Sequence, residues 1–445
     1  MASPKFQPPR GIPLGLIVQK YGGDALGDKG KGKSGGGDTS QLYGAQFIAE
    51  KFLHVAHVVK KTRDQGNNVV VVVSAMGDAT NRLIAMAQSI MKNAPARELD
   101  MLMSTGEQQA IALVAIALES LGIPSRSFTG HQVGILTESL FGKARIRSIQ
   151  TERLESTIAE GIVPVIAGFQ GATADQEYTT LGRGGSDITA VALAAAIRAD
   201  VCEFYKDVDG IYTTDPRVCP SAYKIDRISY DEMLELASLG AGVLQSRSVE
   251  FAKNYGVPLH VRSFLHDNVG TWVVPEEKEM EDVVVSGVAF NRGEAKITIL
   301  GVPDTPGIAA KVFSRIGAKG IVVDMIIQNT AQEGHNDISF TVSRSDYDAA
   351  MAVAREVAKE LKAREIIGDN TIAKVSAVGV GMRSHASVAS RMFEALAAND
   401  INIQMISTSE IKVSCVISES DLDDAVRAIH RAFEDKRSTP TIDMG

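Results

Sequence analysis

Residues 68–75 read NVVVVVSA, and no other stretch constrains this chain so tightly. Five adjacent β-branched residues leave no polar alternation for a strand with one wet face. The run reads as a strand covered on both sides, as in a parallel sheet. LIVQKY (16–21), IVPVIAG (162–168) and VCEFY (201–205) share that texture. Between the first two runs, 45–64 spaces its apolar residues as a helix does, and 107–121 and 186–199 are further helix-like stretches. Strands alternating with helices predict an open, mostly parallel α/β sheet over residues 1–275. Ligands of such sheets sit beyond the carboxyl ends of the strands, so residues just after each apolar run are the first to read for chemistry.

After residue 275 the texture changes. PEEKEMED (275–282) reads as an exposed linker, and one pattern then occurs twice. AKITILGVPDTPGIAAKVFSRIGAKGIVVDMIIQN occupies 295–329, and AKVSAVGVGMRSHASVASRMFEALAANDINIQMIS occupies 373–407. Each reads strand, loop, helix, strand and continues into another strand and a helix (346–362 and 420–434). Units of roughly 80 residues are too long for a solenoid repeat and fit two ferredoxin-like α+β domains, at 284–365 and 366–445.

Composition excludes more than it assigns. The net charge of −8, without a basic stripe, argues against nucleic acid, so any polyanion must be held by a local cluster of cations. No apolar run reads as a membrane span, and MASPKFQPPRGIPLG has no apolar core of a signal peptide. Cys202, Cys219 and Cys415 form neither a disulfide framework nor a metal pattern, which fits a reducing cytoplasm and no metal site of their own. DKGKGKSGGGDTS (28–40) has too much Gly and Lys to build a core and reads as a mobile loop.

Several short segments suit phosphate and carboxylate handling. Lys20-Tyr21-Gly22-Gly23 closes the first strand with a point charge and two glycines that let backbone N–H groups approach a phosphate, although glycine turns after strands are common. Ser74 to Asn81 leads from the valine strand into a helix with small donors, as an anion site or an ordinary cap. Ser104-Thr105-Gly106-Glu107 reads as the opening of a helix, where capping alone is a sufficient role. Leu181-Gly182-Arg183-Gly184-Gly185-Ser186-Asp187 is more specific: an Arg among glycines before a helix offers a bidentate fork beside exposed backbone donors. The segment 205–217 follows a strand with acids, aromatics and an Asp-Gly turn.

In this order the segments resemble the aspartate kinases of the amino-acid kinase superfamily, over nearly the whole chain. VVVVVSAM and TNRL (69–83), STGEQ (104–108), AGFQG (167–171), TTLGRGGSD (179–187), DVDGIYTTDPRV (207–218) and ISTSEIKVS (406–414) carry the likeness. The resemblance implies that the two repeats are ACT domains, regulatory modules that pair between chains to make at least a homodimer. It implies ATP with Mg²⁺ as cofactors, L-aspartate as substrate and lysine or threonine as effector. Lys20, Gly22 and Gly23 then cradle the phosphates, with Asp187 orienting the catalytic Lys20. Ser74, Thr80, Glu107 and Arg183 hold aspartate, Arg183 on a carboxylate and Glu107 on the ammonium. Lys206, Asp207, Tyr212 and Arg217 fall where the nucleotide is held. Asp304, Ala309, Asp324 and Gln328 in the first repeat, and Asn402 with Ile403 in the second, fall at the effector positions. The chain departs from the family at Asp24, where a hydroxyl residue is usual and uridylate kinases carry an acid, and at Gly242, where many relatives have Lys. Lys206 is then expected to supply the charge missing at 242. A kinase with another acceptor, such as uridylate, and an idle effector sensor are the competing readings. No Ser-His-Asp or Cys-His set is needed, because a carboxylate of pKa about 4 is already ionised at neutral pH.

Overall fold

The computed structural model describes residues 15–27, 39–240, 242–277, 280, 283–328, 334–385 and 387–434. Most of the 28–40 run lies outside them. The chain forms two compact units. One runs through Ile211 and includes Lys224–Ala237 and Gly242–Glu277; the other holds Tyr212–Tyr223, Ser238–Ala241 and the chain after Glu277.

The first unit is built on an eight-stranded sheet. Its spatial order is Arg227–Ser229, Thr271–Val274, Leu259–Ser263, Val201–Lys206, Leu16–Tyr21, Asn68–Val73, Val163–Ala167 and Ser125–Phe128. Every pairing is parallel except Leu259–Ser263 with Thr271–Val274. The five valines are fully or almost fully buried, as a strand covered on both faces requires. Helix Thr39–Asp64 covers one face with Phe52, Val55 and Val59, and helix Ala96–Ser120 joins the same core through Ala110, Ile111 and Val114.

One sequence expectation changes here. The helix expected at 107–121 begins at Ala96, so Ser104 to Glu107 lie in its middle and open nothing. The Ser104 and Thr105 hydroxyls donate back to the Met101 and Leu102 carbonyls, each at 2.7 Å, so neither competes with the helix for its N–H groups. Ala96–Ser120 is also long and apolar enough by length and composition to cross a bilayer, but half of its most apolar stretch is buried in the protein. Asp100 and Glu107 are buried on the same side of that helix.

The second unit carries a six-stranded sheet in the order Val323–Gln328, His335–Ser343, Gly287–Pro303, Glu365–Val378, Lys412–Ser418 and Met405–Thr408. The long Gly287–Pro303 strand serves both repeats. Its first half pairs with 374–378 and places Val288 in the core of the second repeat; its second half pairs with 335–343 in the first. Bulges between Asn291 and Lys296 bend it. Met325 and Met405, from the two outermost strands, share one cluster with Ile372 and Val416. Helices Ile308–Ala318 and Tyr347–Leu361 cover the first repeat, and Val388–Ala397 and Leu422–Glu434 cover the second.

Candidate active site

The carboxyl ends of the first, second and fifth strands of the chain that build this sheet border a cavity of about 580 Å³ in the first unit. Lys20, Gly22, Gly23, Ser74, Thr80, Glu107, Arg183, Asp187, Lys206 and Asp207 all line it. Tyr212 and Arg217 lie in the other unit, so the described cavity does not include them.

The turns after the first two strands interlock. Gly77 N–H donates to Gly23 O at 3.0 Å, and a Cβ on Gly23 would stand 2.9 Å from Ala75 O. A Cβ on Gly106 would meet Ala75 Cβ at 2.8 Å, so this glycine lets the long helix press against the second turn. That approach brings Glu107 Oε1 within 3.1 Å of the Ala75 N–H. Glu107 Oε2 is buried and has no hydrogen-bond partner among the described residues. Burial pushes this carboxyl up to about 8, with the Ala75 N–H and Lys20 pulling against it.

On the other side of the cavity Gly184 takes a left-handed conformation (φ +73°) and starts helix Gly185–Ala196. Cβ atoms on Gly184 or Gly185 would collide with Gln245 or Phe169, which explains the glycines around Arg183. Arg183 is exposed to the cavity and has no ion-pair partner among the described residues. Asp187, in the first helical turn, takes both lysines: Lys20 Nζ lies 2.6 Å from Oδ1 and Lys206 Nζ 3.2 Å from Oδ2. Burial alone would raise the Asp187 pKa, but Lys20 and Lys206 overcome it and bring the group to about 2. Burial and the Lys20 charge lower Lys206 against the pull of Asp187. Lys206 therefore stands beside Lys20 on the shared Asp187 carboxylate. Gly242 itself is left-handed, with φ +65°.

Two buried networks hold this arrangement, and sequence reading finds neither. Asp100 is fully buried and accepts from Thr180 Oγ1 at 2.7 Å, Thr180 N at 2.9 Å and Gly142 N at 2.8 Å, tying the long helix to the strand before the glycine-arginine turn. Its signal is an acid in register with Glu107 on an otherwise apolar helix face. Behind Lys20, on the opposite sheet face, Glu203 accepts from Gln19 at 2.9 Å, Tyr205 at 3.0 Å and Arg262 at 3.0 Å. Burial would raise Glu203, but His260 and Arg262 bring it to about 2. Period-two alternation puts Gln19, Glu203, Tyr205 and Arg262 opposite Lys20 and Lys206.

The expected effector residues fall in two groups. Asp304 accepts from Asn336 Nδ2 at 3.1 Å, Ala309 is exposed on the following helix, and Asp324 and Gln328 stand on the outermost Val323–Gln328 strand. Asn402 and Ile403 precede the opposite outermost strand, Met405–Thr408. The repeats exchange equivalent lysines: Lys374 pairs with Asp324 and lies 3.2 Å from Glu294, while Lys296 donates to Gln404. Among the described residues, no group of three His, Cys, Asp or Glu side chains could hold a metal ion.

The carboxyl ends of a parallel sheet thus bring Lys20, Lys206 and Arg183 to one cavity, and the second unit duplicates a ferredoxin-like fold. Residues 15–263 match the Amino acid kinase family, and 297–357 and 375–433 match the ACT domain. Aspartate kinase Ask_LysC of Stutzerimonas stutzeri is 54% identical over 422 residues, covering 95% of this chain and 98% of its own. The aspartate kinase structure from Synechocystis is 44% identical, with a TM-score of 0.51, covering 96% of this chain and 70% of that one. Escherichia coli aspartokinase III in complex with aspartate and ADP shares the fold at 24% identity, with a TM-score of 0.74, covering 94% of this chain and 99% of that one. This chain belongs to the aspartate kinase family. It is a phosphotransferase with a carboxyl group as acceptor.

Proposed function

We propose that the cavity binds L-aspartate and ATP together and yields 4-phospho-L-aspartate and ADP. The orphaned Glu107 Oε2 carries this reading. A buried carboxylate oxygen without a donor is costly, and a substrate ammonium supplies the missing one. Arg183, on the same cavity, takes the substrate's α-carboxylate, and Ser74 and Thr80 also line it. The side-chain carboxylate oxygen then forms a bond to the γ-phosphorus as the bridging oxygen leaves with ADP, and no proton needs to move. Lys20, held by Asp187, stabilises charge on the transferring group, and Gly22 and Gly23 offer backbone N–H groups to the phosphates. Lys206, Asp207, Tyr212 and Arg217 serve the nucleotide. Mg²⁺ bound to the triphosphate would neutralise further charge, with Asp24 and Asp207 as the cavity acids suited to hold it. The crystallised E. coli relative binds aspartate and ADP, which supports the pairing of substrates.

Regulation, assembly and setting extend the same reading. Residues 1–275 carry the chemistry, and the ACT domains at 284–365 and 366–445 sense lysine or threonine, as first-step feedback in lysine, threonine and methionine biosynthesis. E. coli aspartokinase III was crystallised with lysine, in support. Asp304, Ala309, Asp324, Gln328, Asn402 and Ile403 are the effector residues, and pairing of outermost strands makes a homodimer. Three free, buried cysteines suit the cytoplasm. A second reading of the repeats, a feedback-insensitive paralogue, is favoured by Lys374, whose ammonium already occupies Asp324.

The test is hydroxylamine trapping of acyl phosphate with ATP and each acceptor. Hydroxamate formed with aspartate and ATP supports the proposal; none with aspartate, or product with uridylate instead, sinks it. Titration of the same assay with lysine, threonine and both separates feedback control from the insensitive paralogue.

A further inference from the structure

Segment Tyr212–Tyr223 is continuous in sequence with the kinase motif, yet it clusters with the second unit. It closes on itself at a neck. Thr213 N–H donates to Tyr223 O at 3.0 Å, and Tyr223 N–H donates to Thr213 Oγ1 at 3.2 Å. One side chain of helix Leu422–Glu434 is seated at that neck. His430 is 4% exposed, and its Nε2 lies 2.8 Å from Thr213 Oγ1. Its Nδ1 faces Ser221 Oγ at 3.5 Å and Glu434 Oε2 at 3.8 Å. One proton arrangement uses every group: Tyr223 N–H donates to Thr213, the Thr213 hydroxyl donates to Nε2, and Nδ1–H donates toward Ser221 and Glu434. One helical turn earlier, Arg427 Nη1 donates to Val218 O at 3.2 Å, and Val288 N–H donates to Thr213 O at 2.6 Å. Val218 is partly buried and packs against the core of the second repeat.

A buried imidazole is an expensive way to fill that space, since an aliphatic side chain would pack there without needing two partners. What the imidazole adds is a fixed distance between the two ends of the segment, Thr213 and Ser221. Tyr212 adjoins the neck, and Arg217 stands at the far end of the loop, held to Asp215 at 2.7 Å.

We propose that His430 is a positioning residue for nucleotide binding: the last helix of the regulatory unit sets the shape of segment 212–223 through Thr213. The inference rests on the reading that Tyr212 and Arg217 serve the nucleotide. It makes the C-terminal helix part of the ATP apparatus without touching ATP, so its effect falls on one substrate and not on the other.

Steady-state kinetics on the full chain test this. His430→Ala is expected to raise KM for ATP about tenfold, the scale of one buried hydrogen bond, with KM for aspartate and kcat within about twofold. His430→Gln, whose amide reaches the position of Nε2, is expected to recover most of the loss. Thr213→Val is expected to match His430→Ala, and the double variant to be no worse than either. A folded His430→Ala or Thr213→Val with unchanged KM for ATP overturns the inference. So does a rise in both KM values together, which marks general loosening. If His430→Ala does not fold, Thr213→Val carries the test alone. Tyr212→Ala and Arg217→Ala guard the premise: if neither alters KM for ATP while wild type makes acyl phosphate, the nucleotide reading of the segment fails and the kinase reading stands.

Discussion

The cavity of the first unit and the six-stranded sheet of the second handle charge in opposite ways. In the cavity, the floor is closed and the wall is open. Asp187 pairs with both Lys20 and Lys206, leaving one net positive charge, whereas Glu107 Oε2 and Arg183 have no partner among the described residues. A ligand with an ammonium and a carboxylate completes that wall, as an amino acid does. In the second unit's sheet the charged groups are paired internally: Lys374 takes Asp324 and Glu294, and Arg344 takes Glu419 at 2.9 Å. A charged ligand there must compete with side chains already in place. Among the described residues, Glu107 Oε2 is the one carboxylate oxygen buried without a hydrogen-bond partner.

The comparison breaks first at its open wall. Arg183→Ala is expected to lower kcat/KM for aspartate by about 2–4 kcal/mol of transition-state binding, because a buried partner charge loses its fork. Lys20→Ala is expected to act chiefly on kcat by a similar amount, since its charge matters most during transfer. Near-wild-type kinetics for either variant would contradict the assignment.

The closed side differs between the repeats. Lys296 and Lys374 hold equivalent positions, but Lys374 faces a buried acid and Lys296 an amide. Lys374→Met is expected to destabilise by about 3 kcal/mol at pH 7, leaving Glu294 buried and unpaired. Lys296→Met is expected to cost less than about 1 kcal/mol. Burial already raises Glu294, and losing Lys374 raises it further. A raised acid costs stability above its unfolded pKa, so the Lys374→Met deficit shrinks as pH falls from 7 toward 5. Equal melting-temperature losses at both pH values would reject that cause.

The smallest effect concerns Asp24, an acid on the cavity wall. Asp24→Thr is expected to raise KM for ATP by about threefold, the scale of one partly screened charge, because the threonine loses a carboxylate suited to Mg²⁺. A fall instead would mean that Asp24 repels the triphosphate and holds no Mg²⁺.

Much of this site can be read in the sequence because its residues lie just after apolar runs, where a parallel sheet delivers them to one edge. Lys20, Ser74, Lys206 and Asp207 are found that way, and Arg183 by the glycines its turn requires. Glu107 is found by motif and misplaced locally: its neighbours Ser104 and Thr105 look like caps, and only the helix from Ala96 shows them as interior. Asp100 with Thr180 and Glu203 with Arg262 escape because their partners are 80 and 59 residues away and only the topology joins them. Segment 212–223 escapes for a similar reason, since local turn chemistry says nothing about which core will hold it.

The open wall is tested most directly by protons. With Glu107 at about 8, the empty site holds a proton on that carboxyl at pH 7, and an incoming ammonium must displace it. Aspartate affinity then rises with pH up to about 8. Calorimetric titration with aspartate in buffers of different ionisation enthalpy is expected to show release of close to one proton per site at pH 7. Glu107→Gln is expected to abolish the release. No release from wild type, or the same release from Glu107→Gln, would contradict the placement of the substrate ammonium on Glu107.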